Sequence, residues 1–335
     1  MLNTGARPQE RRSGVAPRPL PALLRLAIRS LLRTWSRFPK APGYLYRIVE
    51  RWGSRLGVEP LQCRLFNGMK MRCDLGDQIQ RQIYFFGAYE PIEVYLLTHL
   101  LRPGMVVIDA GANVGQHTLI AAAQVGRDGE VHAFEPVPRN FQRLAAHLLE
   151  NRLATTVRAN MIALWHRGET VRLNLGPGAA NDGGWAIGTP SEAVDTVTSQ
   201  GVRLDDYAVE HKLNRVDFIK MDIEGAEWFA LQGATAVVAR WRPMMLVEIN
   251  RPACRALGYE PERIWESLKP YGYLIWAVGQ SPAGCRSLSS LDSVELANVI
   301  FHTDRLPDNV ISGWSYKSVL RFHRSKPGAS QGDVS

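Results

Sequence analysis

The sequence predicts an α/β fold in which helices cover both faces of a mostly parallel sheet. Two short segments, residues 106–109 and 130–135, are rich in apolar side chains and end in an acidic residue, and the first lacks the polar alternation of a half-exposed strand. A glycine-bearing turn follows the first segment, and stretches compatible with helices follow both. Because strands that alternate with helices pair in parallel, a ligand site is expected at the carboxyl ends of the strands.

The residues at those strand ends indicate which kind of ligand binds there. Asp109 ends the first strand, and Gly111 and Gly115 allow the backbone to approach a ligand closely at the start of a helix. Glu135 ends the second strand, twenty residues after Gly115, a spacing that suits a carboxylate accepting hydrogen bonds from ribose hydroxyls. An acidic Asp109 would repel pyrophosphate, so a cationic nucleoside such as S-adenosylmethionine is favoured over a dinucleotide.

Three ordered blocks carry a resemblance to a known family. They are IDAGANVGQHTL at 108–119, AFEPVPRNFQRL at 133–144 and DFIKMDIEGAEW at 217–228, and together they resemble the FkbM family of S-adenosylmethionine-dependent methyltransferases. The resemblance covers roughly residues 65–303. It implies a Rossmann-like class I methyltransferase fold with a seven-stranded sheet, S-adenosylmethionine as cofactor, and methyl transfer to a hydroxyl of a sugar or glycan, glycolipid or secondary metabolite.

The site residues expected from these patterns fall into two groups. The first group contacts the cofactor and contains Asp109, Gly111, Asn113, Gly115, Glu135, Ala163 and Leu164. The second group lies at the ends of the fourth and fifth strands, where Asp222, Glu224 and Glu248 are the candidates that accept a proton from the acceptor hydroxyl. The resemblance also places Tyr89 and Glu90 beside the cofactor.

Several of these residues have a second interpretation. Trp165 follows the adenine-side residues and either lies against the ring or packs in the core. Glu224 and Glu227 open a helix, where carboxylates stabilise the helix dipole without any role in catalysis. His117 is a weaker candidate base, and a solvent-facing helix residue is the competing interpretation. Mg²⁺ dependence also stays open, with Asp222, Glu248 and Asn250 as oxygen ligands.

Composition and charge restrict the class of protein. The chain has 335 residues, of which 45% are hydrophobic and 21% are charged, as in ordinary globular proteins. Residues 1–60 contain twelve Arg or Lys and three Glu, so the net charge of +8 arises there and the remaining chain has a net charge of −1. A nucleic-acid partner is therefore not expected. Four scattered cysteines and the lack of an eighteen-residue apolar run indicate a reducing, cytoplasmic location.

The first sixty residues divide into two parts. Residues 1–19 form a basic tail that is expected to be disordered, and residues 20–60 form a basic helical extension. Within the extension, residues 21–38 place leucines, Trp35 and Phe38 on one face and four arginines on the other. Two interpretations stay open, a helix lying on an anionic membrane surface and a helix docked on the catalytic domain or on a second subunit.

The remaining chain divides into a flanking segment, a core and a tail. Residues 61–104 are predicted to form a hairpin around Asn67-Gly68 and helices beside the site, residues 105–305 the methyltransferase core, and residues 306–335 a C-terminal tail. Residues 171–198 are predicted to be a strand and a loop, either a lid over the acceptor or a surface hairpin. Two rival functions stay open, a nicotinamide-dependent oxidoreductase and a catalytically idle scaffold.

Overall fold

The computed structural model describes residues 22–35, 47, 49, 60–175, 185–187, 195–279 and 284–313. The prediction of a disordered tail at 1–19 lies outside these residues, as do most of 36–59, the glycine-rich part of the predicted lid and, from residue 314 on, the C-terminal tail predicted at 306–335. The domain boundaries stay predictions.

The described elements alternate between helices and strands through the centre of the chain. The helices are α1 (Ala22–Trp35), α2 (Gln78–Phe86), α3 (Pro91–Leu100), α4 (Gln116–Val125), α5 (Pro138–Glu150), α6 (Leu204–Glu210), α7 (Glu227–Gln232), α8 (Thr235–Trp241), α9 (Arg251–Ala256), α10 (Glu262–Leu268) and α11 (Asp308–Ile311). The strands are β1 (Leu61–Arg64), β2 (Lys70–Cys73), β3 (Val106–Ala110), β4 (Glu130–Phe134), β5 (Val157–Asn160), β6 (Ala163–Leu164), β7 (Glu169–Leu175), β8 (Trp185–Ile187), β9 (Asp195–Val202), β10 (Phe218–Met221), β11 (Met244–Asn250), β12 (Leu274–Val278), β13 (Cys285–Leu288) and β14 (Leu296–His302).

The main sheet has the strand order β13-β12-β14-β11-β10-β3-β4-β5. The five strands from β11 to β5 pair in parallel, and β14, β12 and β13 are antiparallel. The α/β class and the mostly parallel sheet are therefore confirmed. The predicted number of seven strands is wrong by one within the described residues, because β13 adds an edge strand through the pairing of Ile275 with Leu288. Its sequence, CRSL, is too short and too polar to have been recognised as a strand.

Helices cover both faces of this sheet, as the sequence predicted. All five residues of β3 are buried. Neighbouring residues of β3 belong to different hydrophobic clusters, Val107 to a cluster with Leu119 of α4 and Ile108 to a cluster with Val237 of α8. Because successive side chains of a strand point to opposite faces, the two clusters are the two layers between sheet and helices.

A second, four-stranded sheet with the order β6-β9-β7-β8 contains the strand predicted at the start of 171–198, and two further segments of that region are also strands. Strand β7 pairs antiparallel with β8 and β9, and the alternatives of a lid and a surface hairpin stay predictions because residues 176–184 and 188–194 lie outside the described residues. Val171 and Leu173 are buried, and the residues between them face outward. The sequence analysis missed β9 and α6 because polar residues dominate DTVTSQGV and only two of its eight residues are buried.

The segment before the core forms the predicted hairpin and two helices. Strands β1 and β2 pair antiparallel, and within the connecting turn only Gly68 has a positive φ, of 85°, since the turn is longer than two residues. The Sγ atoms of Cys63 and Cys73 lie 3.4 Å apart across the hairpin, and both remain thiols. Helices α2 and α3 are separated by a short connection that contains Glu90, whose φ is 49°.

Helix α1 confirms the predicted helical segment and packs against α2. Leu32 is 6% exposed and belongs to the main hydrophobic cluster, and Ile28 packs against the same cluster. The Arg29 guanidinium lies over the ring of Tyr84, 5.1 Å from its centroid. The interpretation of this helix as docked on the catalytic domain is thus confirmed for one edge of the helix. Among the described helices, none is long and apolar enough to span a bilayer.

Candidate functional site

A cavity of about 1070 Å³, partly open to solvent, lies at the carboxyl ends of the central parallel strands. Strands β3, β4, β10 and β11 contribute residues to its floor. The second sheet forms one wall through β6, β7 and β8, and Ile79 of α2 with the α2–α3 connection forms another. This is the position where open parallel sheets bind ligands, because the turns after neighbouring strands diverge there.

The turn after β3 is held tightly against the loop after β10. Gly111 has a φ of +80°, and a Cβ atom at this position would lie 1.9 Å from the carbonyl oxygen of Asp222. Both Gly111 and Asn113 line the cavity. Gly115 has a φ of +94° and lies at the start of α4, where it packs on Leu144 rather than lining the cavity. Glycine is therefore required at position 111 because the turn after β3 and the loop after β10 approach each other closely there.

Glu135 lines the cavity directly after β4. Its Oε2 accepts a hydrogen bond from the backbone N–H of Asn113 at 2.7 Å, and its Oε1 accepts one from the N–H of Val137 at 2.9 Å. Burial raises the pKa of Glu135 to about 7, against the stabilising effect of these two amides on the ionised form. The carboxylate is thus fixed in place, and its contact with a ribose stays a prediction.

Asp109 is buried at the end of β3 and does not line the cavity itself. Thr118 donates a hydrogen bond to its Oδ2 at 2.6 Å, while its Oδ1 has no hydrogen-bond partner among the described residues. Burial raises the pKa of the Asp109 carboxyl, and the charge of Lys220 opposes this effect. The contact between Asp109 and the cofactor stays a prediction. The geometry supports an indirect effect of Asp109 on the site, because its carboxyl interacts with the charge of Lys220.

Lys220 is a buried cation at the centre of the site. It lies opposite Asp109 in the register of β10 and β3, so both side chains lie on the same face of the sheet. Its Nζ donates a hydrogen bond to Oδ2 of Asp222 at 3.2 Å. Burial alone would lower the pKa of Lys220, but Asp222, Asp109 and Glu90 more than offset this effect and raise it. The lysine therefore stays charged at neutral pH.

The predicted catalytic carboxylates come together around this lysine. Asp222, Glu224 and Glu248 all line the cavity, and so does Glu90. Burial, followed by the charge of Asp222, raises the pKa of Glu224 to about 8 and that of Glu248 still further. Burial also raises the pKa of Glu90 well above its usual range. Crowded carboxyls keep protons because like charges in a desolvated site repel each other.

The loop after β10 presents Glu224 to the cavity in a strained conformation. Glu224 has a φ of 54° and the following Gly225 a φ of 93°. Glu227, which is buried, accepts hydrogen bonds from the N–H groups of Ile223 at 3.0 Å and Gly225 at 3.3 Å. The capping interpretation thus fits Glu227 and not Glu224, and Glu227 holds the loop that carries Glu224.

The α2–α3 connection is fixed to the start of α4 by one side chain. The Oε1 of Gln116 accepts a hydrogen bond from the N–H of Tyr89, and its Nε2 donates one to the Tyr89 carbonyl, both at 2.8 Å. Tyr89 and Glu90 both line the cavity, as the resemblance implied. His117 also lines it, so its interpretation as a solvent-facing residue is wrong. Burial lowers the pKa of His117 well below its usual range, which keeps the ring neutral.

The residues predicted for the adenine side divide between cavity and core. Ala163 and Leu164 line the cavity together with Ile162. Trp165 does not line it: its indole stacks on Phe229 at a centroid distance of 4.5 Å and belongs to a separate hydrophobic cluster. The core interpretation of Trp165 is therefore the one that the structure supports.

The Mg²⁺ interpretation gains no geometric support. The Oδ1 of Asn250 accepts a hydrogen bond from the N–H of Ala253 and caps α9, and Asn250 does not line the cavity. Among the described residues, no group of three His, Cys, Asp or Glu side chains is arranged to hold a metal ion. Asp222 and Glu248 nevertheless lie in the same cavity.

Two residues of the site, Lys220 and Gln116, were not predicted from the sequence. Lys220 was visible as a lysine within the apolar strand FIKM, directly before an acidic strand end, and such a buried charge needs a partner. Gln116 gave no comparable signal, because a glutamine at a helix start is common. Its role depends on the α2–α3 connection, which is distant in sequence.

Comparison with known proteins places this site within a family. Residues 109–275 match the model of the methyltransferase FkbM domain. A curated relative, 31-O-demethyl-FK506 methyltransferase FkbM of Streptomyces tacrolimicus, is 28% identical over 159 residues, which cover 40% of this chain and 60% of the relative. The match thus spans less than two thirds of that relative's length.

Two solved structures give weaker similarity. A methyltransferase FkbM from Methylobacillus flagellatus is 17% identical, with a TM-score of 0.41 over 64% of this chain and 48% of that chain. An rRNA methylase from Streptococcus thermophilus is 12% identical, with a TM-score of 0.35 over 65% of this chain and 98% of that chain.

The family match begins at Asp109 and ends within β12, so it contains the glycine turn, Glu135 and the loop after β10 that together line the cavity. Through this domain, the chain belongs to the FkbM methyltransferase family.

Proposed function

We propose that the protein is an S-adenosylmethionine-dependent O-methyltransferase that acts on a hydroxyl of a sugar or glycan, a glycolipid or a secondary metabolite. The observation that carries the proposal is the arrangement of the cavity. A glycine turn and Glu135 lie on one side of β3, and the carboxylates of Asp222, Glu224 and Glu248 lie on the other.

The residues present fit S-adenosylmethionine. A Cβ atom at position 111 would collide with the Asp222 carbonyl oxygen, and glycine leaves this space open. In the buried layer beside it, Oδ1 of Asp109 has no hydrogen-bond partner among the described residues. Lys220 lies in register with Asp109 and donates a hydrogen bond to Asp222, so two acidic groups meet one cation, a balance that favours a cationic ligand over a phosphate-bearing one. Gly111, Asn113, Glu135, Ala163 and Leu164 would hold the nucleoside, and the S-adenosylmethionine would supply an electrophilic methyl group.

The chain's own residues then orient and deprotonate the acceptor. Asp222 accepts a hydrogen bond from Lys220 and is the candidate that receives the proton of the acceptor hydroxyl. Glu224 and Glu248 have raised pKa values and are protonated at neutral pH, so they can donate hydrogen bonds that orient the acceptor. The neutral His117 is a further hydrogen-bonding group on the same wall.

The acceptor class follows from the polarity of the cavity. Leu173 and Ile187 of the second sheet give it an apolar wall opposite the carboxyls, which suits a hydroxyl carried on an otherwise apolar or ring-shaped molecule. Phosphate-rich nucleic acid is disfavoured by the carboxyls and by the net charge of −1 after residue 60. A cytoplasmic location and a peripheral membrane contact through residues 21–38 stay part of this proposal.

Binding to S-adenosylhomocysteine and to NAD distinguishes the methyltransferase from a nicotinamide-dependent oxidoreductase. Isothermal calorimetry on the full chain should give a micromolar or tighter affinity for S-adenosylhomocysteine and no measurable heat with NAD. The reverse result would refute the proposed cofactor. Asp109, in the buried layer beside the glycine turn, disfavours the pyrophosphate of NAD because both groups are acidic.

Transfer of a labelled methyl group identifies the acceptor class. The full chain is incubated with S-adenosylmethionine labelled in its methyl group and with cell extract, which is then separated into glycolipid, small-molecule, protein and RNA fractions. Label in the first two fractions supports the proposal. Label in a ribonuclease-sensitive fraction would instead indicate an RNA methyltransferase, and the absence of any label would favour the idle scaffold.

A further inference from the structure

Among the described residues, the outward side of α1 is an exposed apolar surface. Leu23 is 82% exposed, Leu24 46% and Leu31 58%, and these three define the leucine strip. Leu26 of the same helix is also exposed. The strip is unusual because the other exposed large apolar residues of the described chain lie singly on different elements, as ordinary surface residues do.

The docking of α1 explains why the strip is uncovered. At 100° per residue, Ile28, Arg29 and Leu32 share one side of the helix, and this side packs against α2 and the hydrophobic cluster. Leu23, Leu24 and Leu31 lie about a quarter to half a turn away from that side. The apolar face is therefore wider than the contact with the catalytic domain, and half of it stays in water.

The segment of sequence that contains the strip is strongly basic. Residues 1–60 contain twelve Arg or Lys and three Glu, a net charge of +9, and the rest of the chain has a net charge of −1. An apolar helix face within a basic segment matches the two components of an anionic bilayer surface, its acyl boundary and its headgroup charge. Each component alone gives weak binding, and together they give a stable peripheral contact.

We propose that the leucine strip inserts into an anionic lipid surface while the opposite side of α1 remains docked on α2. The docked side makes the membrane contact rigidly coupled to the catalytic domain, because α2 also contributes Ile79 to the cavity wall. The Arg29–Tyr84 contact helps to hold this arrangement. This inference deepens the proposed function by naming where a lipid-borne acceptor would be met.

A second copy of the chain is a less suitable occupant of the strip. Face-to-face contact of two strips would bring two segments of charge +9 together, which costs free energy that the burial of a few leucines would have to offset. An anionic surface instead gains from the same charge, and the gain falls with salt concentration.

Vesicle sedimentation with the full chain tests the proposal. The vesicles consist of phosphatidylcholine alone or with about a third of phosphatidylglycerol. The wild-type chain should sediment with the anionic vesicles and not with the neutral ones. The double variant Leu23→Ser, Leu31→Ser should bind the anionic vesicles at least about tenfold more weakly, because two inserted side chains become polar.

The matched control is the double variant Val209→Ser, Leu274→Ser, which removes two exposed apolar residues from α6 and β12 and should bind like the wild type. Affinity for S-adenosylhomocysteine should be unchanged in both double variants. A lower affinity would indicate a folding defect, and the single variant Leu23→Ser would then replace the leucine double variant. Equal vesicle binding of the two double variants would overturn the proposal. So would a wild-type dimer in sedimentation velocity that the leucine variant converts to a monomer.

The vesicle result and the cofactor result are independent. A wild-type chain that binds S-adenosylhomocysteine but not the anionic vesicles would refute only the membrane contact of the leucine strip. Loss of cofactor binding by the wild type with intact vesicle binding would refute only the methyltransferase function.

Discussion

At the residue scale, the buried ammonium group of Lys220 connects the acidic residues of the cavity. It donates to Asp222 and lies in register with Asp109, and its charge also lowers the pKa values of Glu90 and Glu224. One cation cannot neutralise all of these carboxyls, so some of them hold protons at neutral pH. The site therefore contains an ionised carboxylate beside protonated ones, which is the combination that acid–base work on a hydroxyl requires.

The variant Gly111→Ala tests the close approach between the turn after β3 and the loop after β10. Its new Cβ would lie 1.9 Å from the Asp222 carbonyl oxygen, so one loop must move and affinity for S-adenosylhomocysteine should fall by at least about 100-fold. Gly272→Ala is the control, because Gly272 has a similar φ of +84° and no atom within 4 Å of its Cβ position. The control should lose about 1 kcal/mol of stability and keep its cofactor affinity by calorimetry.

The variant Asp222→Asn tests the assignment of the proton acceptor. A carboxamide cannot accept the proton, so the kcat for methyl transfer should fall by about 10² to 10⁴. Glu248→Gln is the comparison, since a protonated carboxyl and a carboxamide both donate hydrogen bonds. Its loss should stay below about tenfold. A larger loss for Glu248→Gln than for Asp222→Asn in steady-state assays would exchange the two roles.

At the scale of elements, one buried carboxylate joins the helix that follows the second sheet to the core. Asp205 opens α6, directly after β9, and is buried. Its Oδ1 accepts a hydrogen bond from the N–H of Val237 at 2.9 Å, and its Oδ2 accepts one from the N–H of Ala236 at 3.1 Å. Asp205 thus caps the N-terminus of α8, although it lies thirty residues away in sequence.

The variant Asp205→Ala should lower the free energy of unfolding by about 2 kcal/mol, because the amides of Ala236 and Val237 lose their partner. Asp206→Ala is the matched control: its carboxylate is exposed and pairs only with the partly exposed Arg203, so the change should be within about 0.5 kcal/mol. Urea unfolding measures both values. Equal effects of the two substitutions would show that the cap does not stabilise the contact between α6 and α8.

At the scale of the whole molecule, buried carboxyls in and beside the cavity lower the stability of the fold at alkaline pH. The pKa values of Glu93, Glu135 and Glu227 are raised to about 7 and that of Glu224 to about 8, in each case mainly by burial. A carboxyl with a raised pKa binds its proton more tightly in the folded chain. Its contribution is complete below the unfolded pKa and is lost as the pH rises through the folded value.

The free energy of unfolding should therefore fall between about pH 7.5 and about 8.5, a window that lies above the ordinary histidine pKa of 6.5, so histidines are mostly neutral in both states. Glu224→Gln should reduce this slope. Glu260→Gln should not, because arginines lower the pKa of Glu260 and it stays ionised throughout the window. Urea unfolding at three pH values gives the slope, and a flat profile for the wild-type chain would contradict the assignment of protonated carboxyls.

The residues of the cofactor side could be predicted because they belong to local patterns. The strand–turn–helix sequence at 106–119 and the carboxylate at 135 depend on spacing within one βα unit, and backbone geometry fixes where such residues lie. The second sheet was harder to predict, since β9 is polar and its pairing with β7 joins residues about thirty positions apart. The edge strand β13 was missed for a similar reason.

The sequence by itself determined the α/β class, the parallel pairing of the strands that alternate with helices and the strand ends at which Gly111, Glu135, Asp222 and Glu248 lie, because these depend on local periodicity and on the alternation of strands and helices along the chain. Only the tertiary structure decided which groups carry protons, since burial and the distances to Lys220 set the charge of each carboxyl. It alone also decided that α1 docks by one edge and leaves the leucine strip in water. Both depend on contacts between segments distant in sequence, which periodicity does not encode.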